Sequence, residues 1–106
     1  MRLRHATLAR HLPGVLRNGL LCSKSKGKLP AIWFTSPGKS SWATLHVVKR
    51  HGGRVESVVI LEVDVPRSWL RRSARKRLWY TLRDVGPERI RRVFTFMEMA
   101  GASAEK

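Results

Sequence analysis

The stretch from residue 57 to residue 65, SVVILEVDV, constrains the fold of this chain more than any other. Its first half is apolar on both faces, and in its second half Glu62 and Asp64 alternate with aliphatic residues. A strand that is apolar on both faces is covered on both faces. Pro66 ends the run, because proline has no N–H for a strand ladder. The stretch therefore predicts the central strand of a sheet.

The segments around this strand predict a single α+β domain. The expected order is β-α-β-α-β-α-β-β, giving one compact domain over residues 1–100 with a split, mostly antiparallel sheet, and a frayed tail at 101–106. Apolar and β-branched runs predict the other strands, and capping residues and spacing predict the helices. The further strands are expected at Leu3–Thr7, Ala31–Thr35, Leu78–Leu82 and Ile90–Met97, and the helices at Leu12–Asn18, from Ser40 or Ser41 to Gly52, and at Ser68–Arg77.

Composition excludes several classes of protein. Of the 106 residues, 42% are hydrophobic and four are tryptophan, which favours a packed core over disorder. The apolar runs are far shorter than the roughly 20 residues that span a bilayer. The lone Cys22 cannot form an internal disulfide, and its sequence context gives a nucleophilic role little support. The acid-free N-terminal half resembles a transit peptide in composition, but Pro13 interrupts any long amphipathic helix there. A cytoplasmic protein is expected, with no membrane association.

The net charge of +15 predicts a polyanionic partner. Residues 1–55 contain eleven lysines or arginines and no acidic residue. A second basic cluster lies between Trp69 and Trp79, where arginine suits phosphate oxygens and tryptophan can stack on a base. We expect it to bind nucleic acid, RNA rather than DNA; the alternative is a solvated basic helix whose tryptophans belong to the core. The cluster consists of Arg71, Arg72, Arg75, Lys76 and Arg77.

The opening segment from residue 5 to residue 20, HATLARHLPGVLRNGL, is the strongest candidate for a site. It predicts a strand that ends near His5, a turn, and a short helix stopped by Asn18-Gly19. An imidazole at such a junction can bind a ribose hydroxyl through one nitrogen while the backbone holds the other, and Thr7 can reach the same nucleoside. The alternative is a histidine satisfied at a strand end and a threonine that only caps the turn.

This segment resembles, without a gap, the opening motif of the ADP-ribosyltransferase-like superfamily, and most closely that of the RNA 2'-phosphotransferases, which bind NAD. Three later segments resemble the superfamily's core strands in the right order: AIWFTS, VVILEVDVP and LWYTLRDVGPERI. Together the four cover about residues 3–92. The resemblance implies an ADP-ribosyltransferase-like fold with NAD as cofactor.

The resemblance also implies a set of site residues, and the spacing of the histidines predicts no metal site. His5 and Thr7 would hold the adenosine-side ribose, and the AIWFTS segment would line the nicotinamide pocket. Arg83, with Arg75 or Arg77, would meet the phosphate of a nucleic-acid acceptor. The implied catalytic residues are His5 and Arg83, and the implied cofactor-binding residues are His5, Ala6, Thr7, Trp33, Phe34, Thr35 and Ser36.

Two departures from the family leave the activity open. The extra N-terminal winged-helix lobe of the RNA 2'-phosphotransferases has no counterpart here. Many ADP-ribosyltransferases also place a glutamate where this chain has Leu78. The residues that could supply the missing carboxylate are Glu62, Glu88 and Glu98. The alternatives are therefore a catalytically degenerate, basic nucleic-acid-binding module of the same fold, or a small macromolecule-binding protein from a mobile element.

Overall fold

Two antiparallel sheets of three strands each organise the described part of the chain. The computed structural model describes residues 1–24, 30–36, 40–51, 54, 57–73, 78–95 and 98, and within 40–51 it describes the side chains of residues 44–49. The strands are β1 (Arg2–Leu8), β2 (Ile32–Phe34), β3 (Val58–Asp64), β4 (Arg71–Ser73), β5 (Leu78–Thr81) and β6 (Ile90–Thr95). The helices are α1 (Leu12–Asn18) and α2 (Ser40–His51), with 3-10 turns at Ala9–His11, Cys22–Lys24, Arg67–Trp69 and Pro87–Arg89.

The first sheet has the order β1-β3-β6, so the prediction of a central strand at residues 57–65 is confirmed. Both neighbours pair with β3 in antiparallel register, and six of its seven residues are buried. One face of the sheet joins a core cluster that includes Leu3, Leu61 and Val63. The other face carries Leu8, Val58 and Ile60 against α2. Both faces of β3 are covered, which explains why its residues are apolar on both sides.

The second sheet has the order β2-β5-β4 and meets the first at one isolated bridge. There Arg4 and Thr35 exchange two backbone hydrogen bonds, each 2.8 Å long. A further bridge joins Leu20, just after α1, to Val85. The buried side chains of Phe34 and Val85 fill the space between the sheets together with the first core cluster. The α+β class and the antiparallel pairing are thus confirmed.

The predicted helix at Ser68–Arg77 is wrong. The chain makes a 3-10 turn at Arg67–Trp69 and then strand β4, which pairs with β5 at the edge of the second sheet. The prediction rested on Ser68 as a capping residue before a run of basic residues, and an exposed edge strand accommodates the same charges. Arg71 and Arg72 are both exposed there. Residues 74–77 lie outside the described residues.

Smaller differences concern where elements end. Strand β1 runs on to Leu8, so His5 sits in its middle, opposite Leu61, and not at its end. Strand β5 ends at Thr81, one residue before the expected limit. Strand β6 ends at Thr95, and residues 96–97 of its predicted extent, like the predicted frayed tail at 101–106, lie outside the described residues.

Candidate functional site

A cleft of about 920 Å³ lies where β1 and β2 diverge beyond their bridge. Strand β1 is an edge strand of its sheet, so after Arg4 its outer edge borders this space. Residues of α1 line it on one side and residues of α2 on another. The polar residues of its described lining come from several elements, namely Arg4, His5, Thr7, Arg10, His11, Asn18, Lys24, Thr35 and His46.

His5 is the best-defined polar group of the cleft. Its Nδ1 lies 2.7 Å from the carbonyl oxygen of Trp33, and its ring meets the Phe34 ring edge-on at 5.9 Å between centroids. A carbonyl only accepts, so Nδ1 carries the proton and donates it. Burial lowers the pKa of His5, and the smaller opposing effect of the Trp33 carbonyl does not reverse this. The ring is therefore neutral at physiological pH, and Nε2 keeps its lone pair as an acceptor.

Thr7 lies two residues further along β1 and thus on the same face as His5. It is half-buried and lines the cleft. It does not cap the following turn, which begins after Leu8 without a side-chain cap. Ala6 points to the other face and packs against the cluster under α2, although it too borders the cleft. The structure therefore brings His5, Ala6 and Thr7 to one wall.

Strand β2 contributes the opposite wall. Trp33, Phe34 and Thr35 line the cleft, whereas Ser36 is exposed and lies outside the lining. Phe34 is 1% exposed and belongs to the core, so its ring is not a free stacking surface. Trp33 stacks on Tyr80 with ring centroids 4.8 Å apart. The hydroxyl of Thr35 lies 3.5 Å from the carbonyl oxygen of Arg4 and steadies the bridge.

The structure does not bring Arg83 to this cleft. Its guanidinium lies 4.3 Å from the ring centre of Trp69, and Arg83 is not among the residues that line the cavity. Of the predicted nucleic-acid-binding cluster, Arg71 and Arg72 are exposed on β4, and Arg72 stacks on Trp79 at 5.0 Å. Arg75, Lys76 and Arg77 lie outside the described residues.

The described lining of the cleft contains no carboxylate. Glu62, the first possible substitute for the missing glutamate, faces the opposite side of the sheet, where Arg2 and Arg4 lie 3.4 and 3.7 Å from its carboxylate. Glu88 and Glu98 are exposed and do not line the cavity. Leu78 does line it, with 7% of its surface exposed. Arg10 and Lys24 are exposed at its border, so the cleft is electrostatically positive.

Six polar lining residues were not among the predicted site residues, namely Arg4, Arg10, His11, Asn18, Lys24 and His46. Arg10 and His11 belong to the 3-10 turn that follows β1, so a signal for them existed: they sit inside the opening motif, between Thr7 and α1. Lys24 and His46 carry no such signal, because they reach the cleft only through the packing of distant segments.

Cys22 is not a nucleophile in this arrangement. Burial, followed by the nearby Asp84 carboxylate, raises the pKa of its thiol. Asp84 accepts a hydrogen bond from the Cys22 backbone N–H at 2.8 Å, which ties the segment after α1 to the end of β5. The thiol therefore stays protonated at neutral pH, and its role is packing.

Among the described residues, no three histidine, cysteine, aspartate or glutamate side chains come together as metal ligands would. Within the described part of the chain, none of the helices has the length and apolar character needed to cross a bilayer.

Compared with known proteins, the chain matches no family model and no curated protein.

Proposed function

We propose that the cleft binds NAD and that the chain is a transferase of the ADP-ribosyltransferase-like fold acting on a nucleic-acid phosphate. The observation that carries the proposal is the state of His5: a neutral ring, fixed through Nδ1 on the Trp33 carbonyl, beside an open cleft. Such a ring offers a positioned acceptor for a hydroxyl. The opening motif resembles that of NAD-binding enzymes at this same residue.

The size and charge of the cleft support a dinucleotide ligand. Its volume of about 920 Å³ falls within the range of about 300–1,000 Å³ for cofactor pockets. Arg10 and Lys24 supply positive charge for a pyrophosphate, and aliphatic residues such as Leu20 and Ile32 supply apolar walls for the bases. In this arrangement His5 Nε2 accepts a hydrogen bond from a ribose hydroxyl, and Thr7, on the same face, contacts the same sugar.

The chemistry of the cleft favours an acceptor that brings its own negative charge. When the bond from the ribose C1 to nicotinamide breaks, positive charge develops on the sugar and needs a nearby anion. No described residue of the lining supplies one, because Leu78 occupies the position where the resemblance expects a glutamate. An acceptor phosphate supplies that anion: its oxygen forms the new bond to C1 as nicotinamide leaves with the bonding electrons.

Isothermal titration of NAD into the wild-type protein and two His5 variants tests the binding claim. In His5→Asn the amide N–H still reaches the Trp33 carbonyl, but the acceptor at Nε2 is gone. In His5→Gln an oxygen lies near the former Nε2. We expect binding to the wild type, loss of at least about tenfold in affinity for His5→Asn, and a smaller loss for His5→Gln. No heat from the wild type, or equal affinity in all three proteins, would overturn the claim.

Mass spectrometry identifies the acceptor. The protein is incubated with labelled NAD and, in separate reactions, with tRNA, 2'-phosphorylated RNA, single-stranded DNA and protein. With the 2'-phosphorylated RNA we expect one of two products: RNA that carries the label from NAD, or RNA that has lost its 2'-phosphate. Modification of protein alone would contradict a phosphate acceptor.

A second candidate is a nucleic-acid-binding module that keeps the fold without the chemistry. The apolar Leu78 at the cleft and the net charge of +15 favour it. It predicts RNA binding with a steep dependence on salt and no consumption of NAD in the presence of any acceptor. Release of nicotinamide that requires nucleic acid would exclude it.

A further inference from the structure

A second positively charged feature lies outside the cleft and is built around one indole ring. The guanidinium carbons of Arg83 and Arg89 lie 4.3 and 4.5 Å from the ring centre of Trp69. We call these three residues the Trp69 patch. None of them lines the cleft. Arg83 follows β5 and Arg89 precedes β6, so two separate segments bring their charges to the same ring.

The two arginines are held together without a carboxylate partner. Among the described residues, every ion pair involves Glu62 or Asp64, and none involves Arg83 or Arg89. Asp84 accepts from the Cys22 N–H at 2.8 Å, and the Glu88 carboxylate lies beside Gly86. Like charges that share a site repel each other, and cation–π attraction to an indole offsets part of this cost. The remaining positive charge favours an anion.

The geometry points to the phosphodiester backbone of a nucleic acid, and we propose that the Trp69 patch binds it. Arginine presents a planar set of donors that fits phosphate oxygens. Two guanidiniums on one ring offer two such sets of donors at one place on the molecule. The Trp69 ring is already engaged by both arginines and packs against the core, so it positions charge and does not stack on a base. Binding at the Trp69 patch is therefore independent of base sequence.

This inference deepens the proposed function and rests on it only for the identity of the acceptor. The cleft would hold NAD, and the Trp69 patch would hold the backbone of the acceptor strand. The two claims fail separately. If the wild type gives no heat with NAD, the proposed function falls, while RNA binding still decides whether the Trp69 patch holds a backbone.

The test is the salt dependence of affinity for a single-stranded RNA of mixed sequence, measured for Arg83→Gln, Arg89→Gln and a matched control. Arg91→Gln is the control, because it removes the same charge from an exposed arginine that Asp64 already neutralises at 3.8 Å. We expect each patch variant to lower the slope of log affinity against log salt by about 0.7, the value for one lost phosphate contact on a single strand. The control should leave the slope unchanged.

Two further variants separate positioning from charge. Trp69→Leu leaves the net charge intact but removes the ring, so it should lower the slope as the arginine variants do, whereas Trp69→Phe should keep most of it. Because Trp69 packs against the core, thermal melts accompany both. If the leucine variant does not fold, the phenylalanine and arginine variants still decide the question.

Competition identifies the source of the phosphate and the class of partner. Inorganic phosphate at matched ionic strength, and poly-glutamate, should each displace the RNA less well than a second RNA of unrelated sequence does. Equal slopes for the patch variants and Arg91→Gln would overturn the proposal, as would displacement by inorganic phosphate or poly-glutamate as effective as that by RNA.

Discussion

The two nitrogens of His5 have different roles, and the difference follows from one contact. The Trp33 carbonyl can only accept, so it fixes the proton on Nδ1 and leaves Nε2 with a lone pair. Burial then disfavours the charged ring, which lowers its pKa. Strand geometry and burial together thus produce a positioned neutral acceptor from an ordinary histidine.

The lowered pKa of His5 predicts a pH dependence of stability. As the pH falls below the ordinary value of 6.5, the unfolded chain takes up the proton before the folded chain does. The stability contributed by the neutral ring is therefore present above 6.5 and is lost as the pH falls toward the lowered pKa. We expect the advantage of the wild type over His5→Asn in free energy of unfolding to shrink between about pH 7.5 and about pH 5.

Urea denaturation at several pH values checks this prediction. The comparison with His5→Asn cancels the titration of the other histidines, which both proteins share. A difference that stays constant over the range would mean that folding does not shift the pKa of His5, and a difference that grows on acidification would mean that folding raises it.

At the residue scale, the sequence predicted residues by which β1 and β2 line the cleft but not the whole lining. His5 and Thr7 could be found because a local motif carries both, and their spacing of two places them on one strand face. The exposure of Ser36 and the distance of Arg83 from the cleft depend on how β2 and β5 pack. No local pattern encodes such packing. The sequence did not predict that Arg83 stacks on Trp69, outside the cleft.

Among the elements, the end of α1 sets the shape of one side of the cleft. Gly19 ends the helix with φ of 80° and ψ of −165°, a backbone conformation that is essentially restricted to glycine. A Cβ there would run into the backbone of Val85 and Gly86. The next residue, Leu20, then makes the bridge to Val85. A glycine at this position therefore lets α1 dock against the second half of the chain.

Two glycine-to-alanine substitutions, one within α1 and one directly after it, test this account at two positions of the cleft lining. Gly19→Ala should destabilise the protein by about 1–3 kcal/mol from backbone strain alone. Gly14→Ala, where a Cβ meets open space within the helix, should leave stability unchanged or raise it by roughly 0.5 kcal/mol. Chemical denaturation measures both. If the two variants lost equal stability, the close approach to Val85 would not constrain the fold.

The sequence predicted strand β3 but not strand β4, and the difference has a physical reason. Strand β3 was found because burial on both faces leaves a run of aliphatic residues. Strand β4 was missed because it is a three-residue edge strand with exposed arginines, and its conformation comes from pairing with β5. Short elements whose stability comes from a partner leave little trace in their own sequence.

For the whole molecule, the dominant physical quantity is the net charge of +15. The described ion pairs involve only two carboxylates, Glu62 and Asp64, both on β3. The remaining basic residues repel one another in the folded state, which opposes compaction. The sequence predicted this imbalance directly, but not that the cleft and the Trp69 patch are separate.

The charge predicts that salt stabilises the free protein. Raising KCl from about 0.02 M to about 0.2 M shortens the screening length and weakens the repulsion, so the melting temperature should rise. Differential scanning fluorimetry without nucleic acid measures it, and the uncharged osmolyte sucrose serves as a control for solvent effects. A melting temperature that falls with KCl would show that attractive ion pairs outweigh the repulsion.

The central claim is that the neutral ring of His5 accepts a hydrogen bond from NAD. Nitrogen NMR of protein labelled with 15N-histidine, with His5→Asn used to assign the signals, measures this most directly. We predict an Nδ1–H tautomer for His5 in the free protein and a shift at its Nε2 alone when NAD is added. A charged His5 ring, or an Nε2 signal that NAD leaves unchanged while other histidines respond, would contradict the claim.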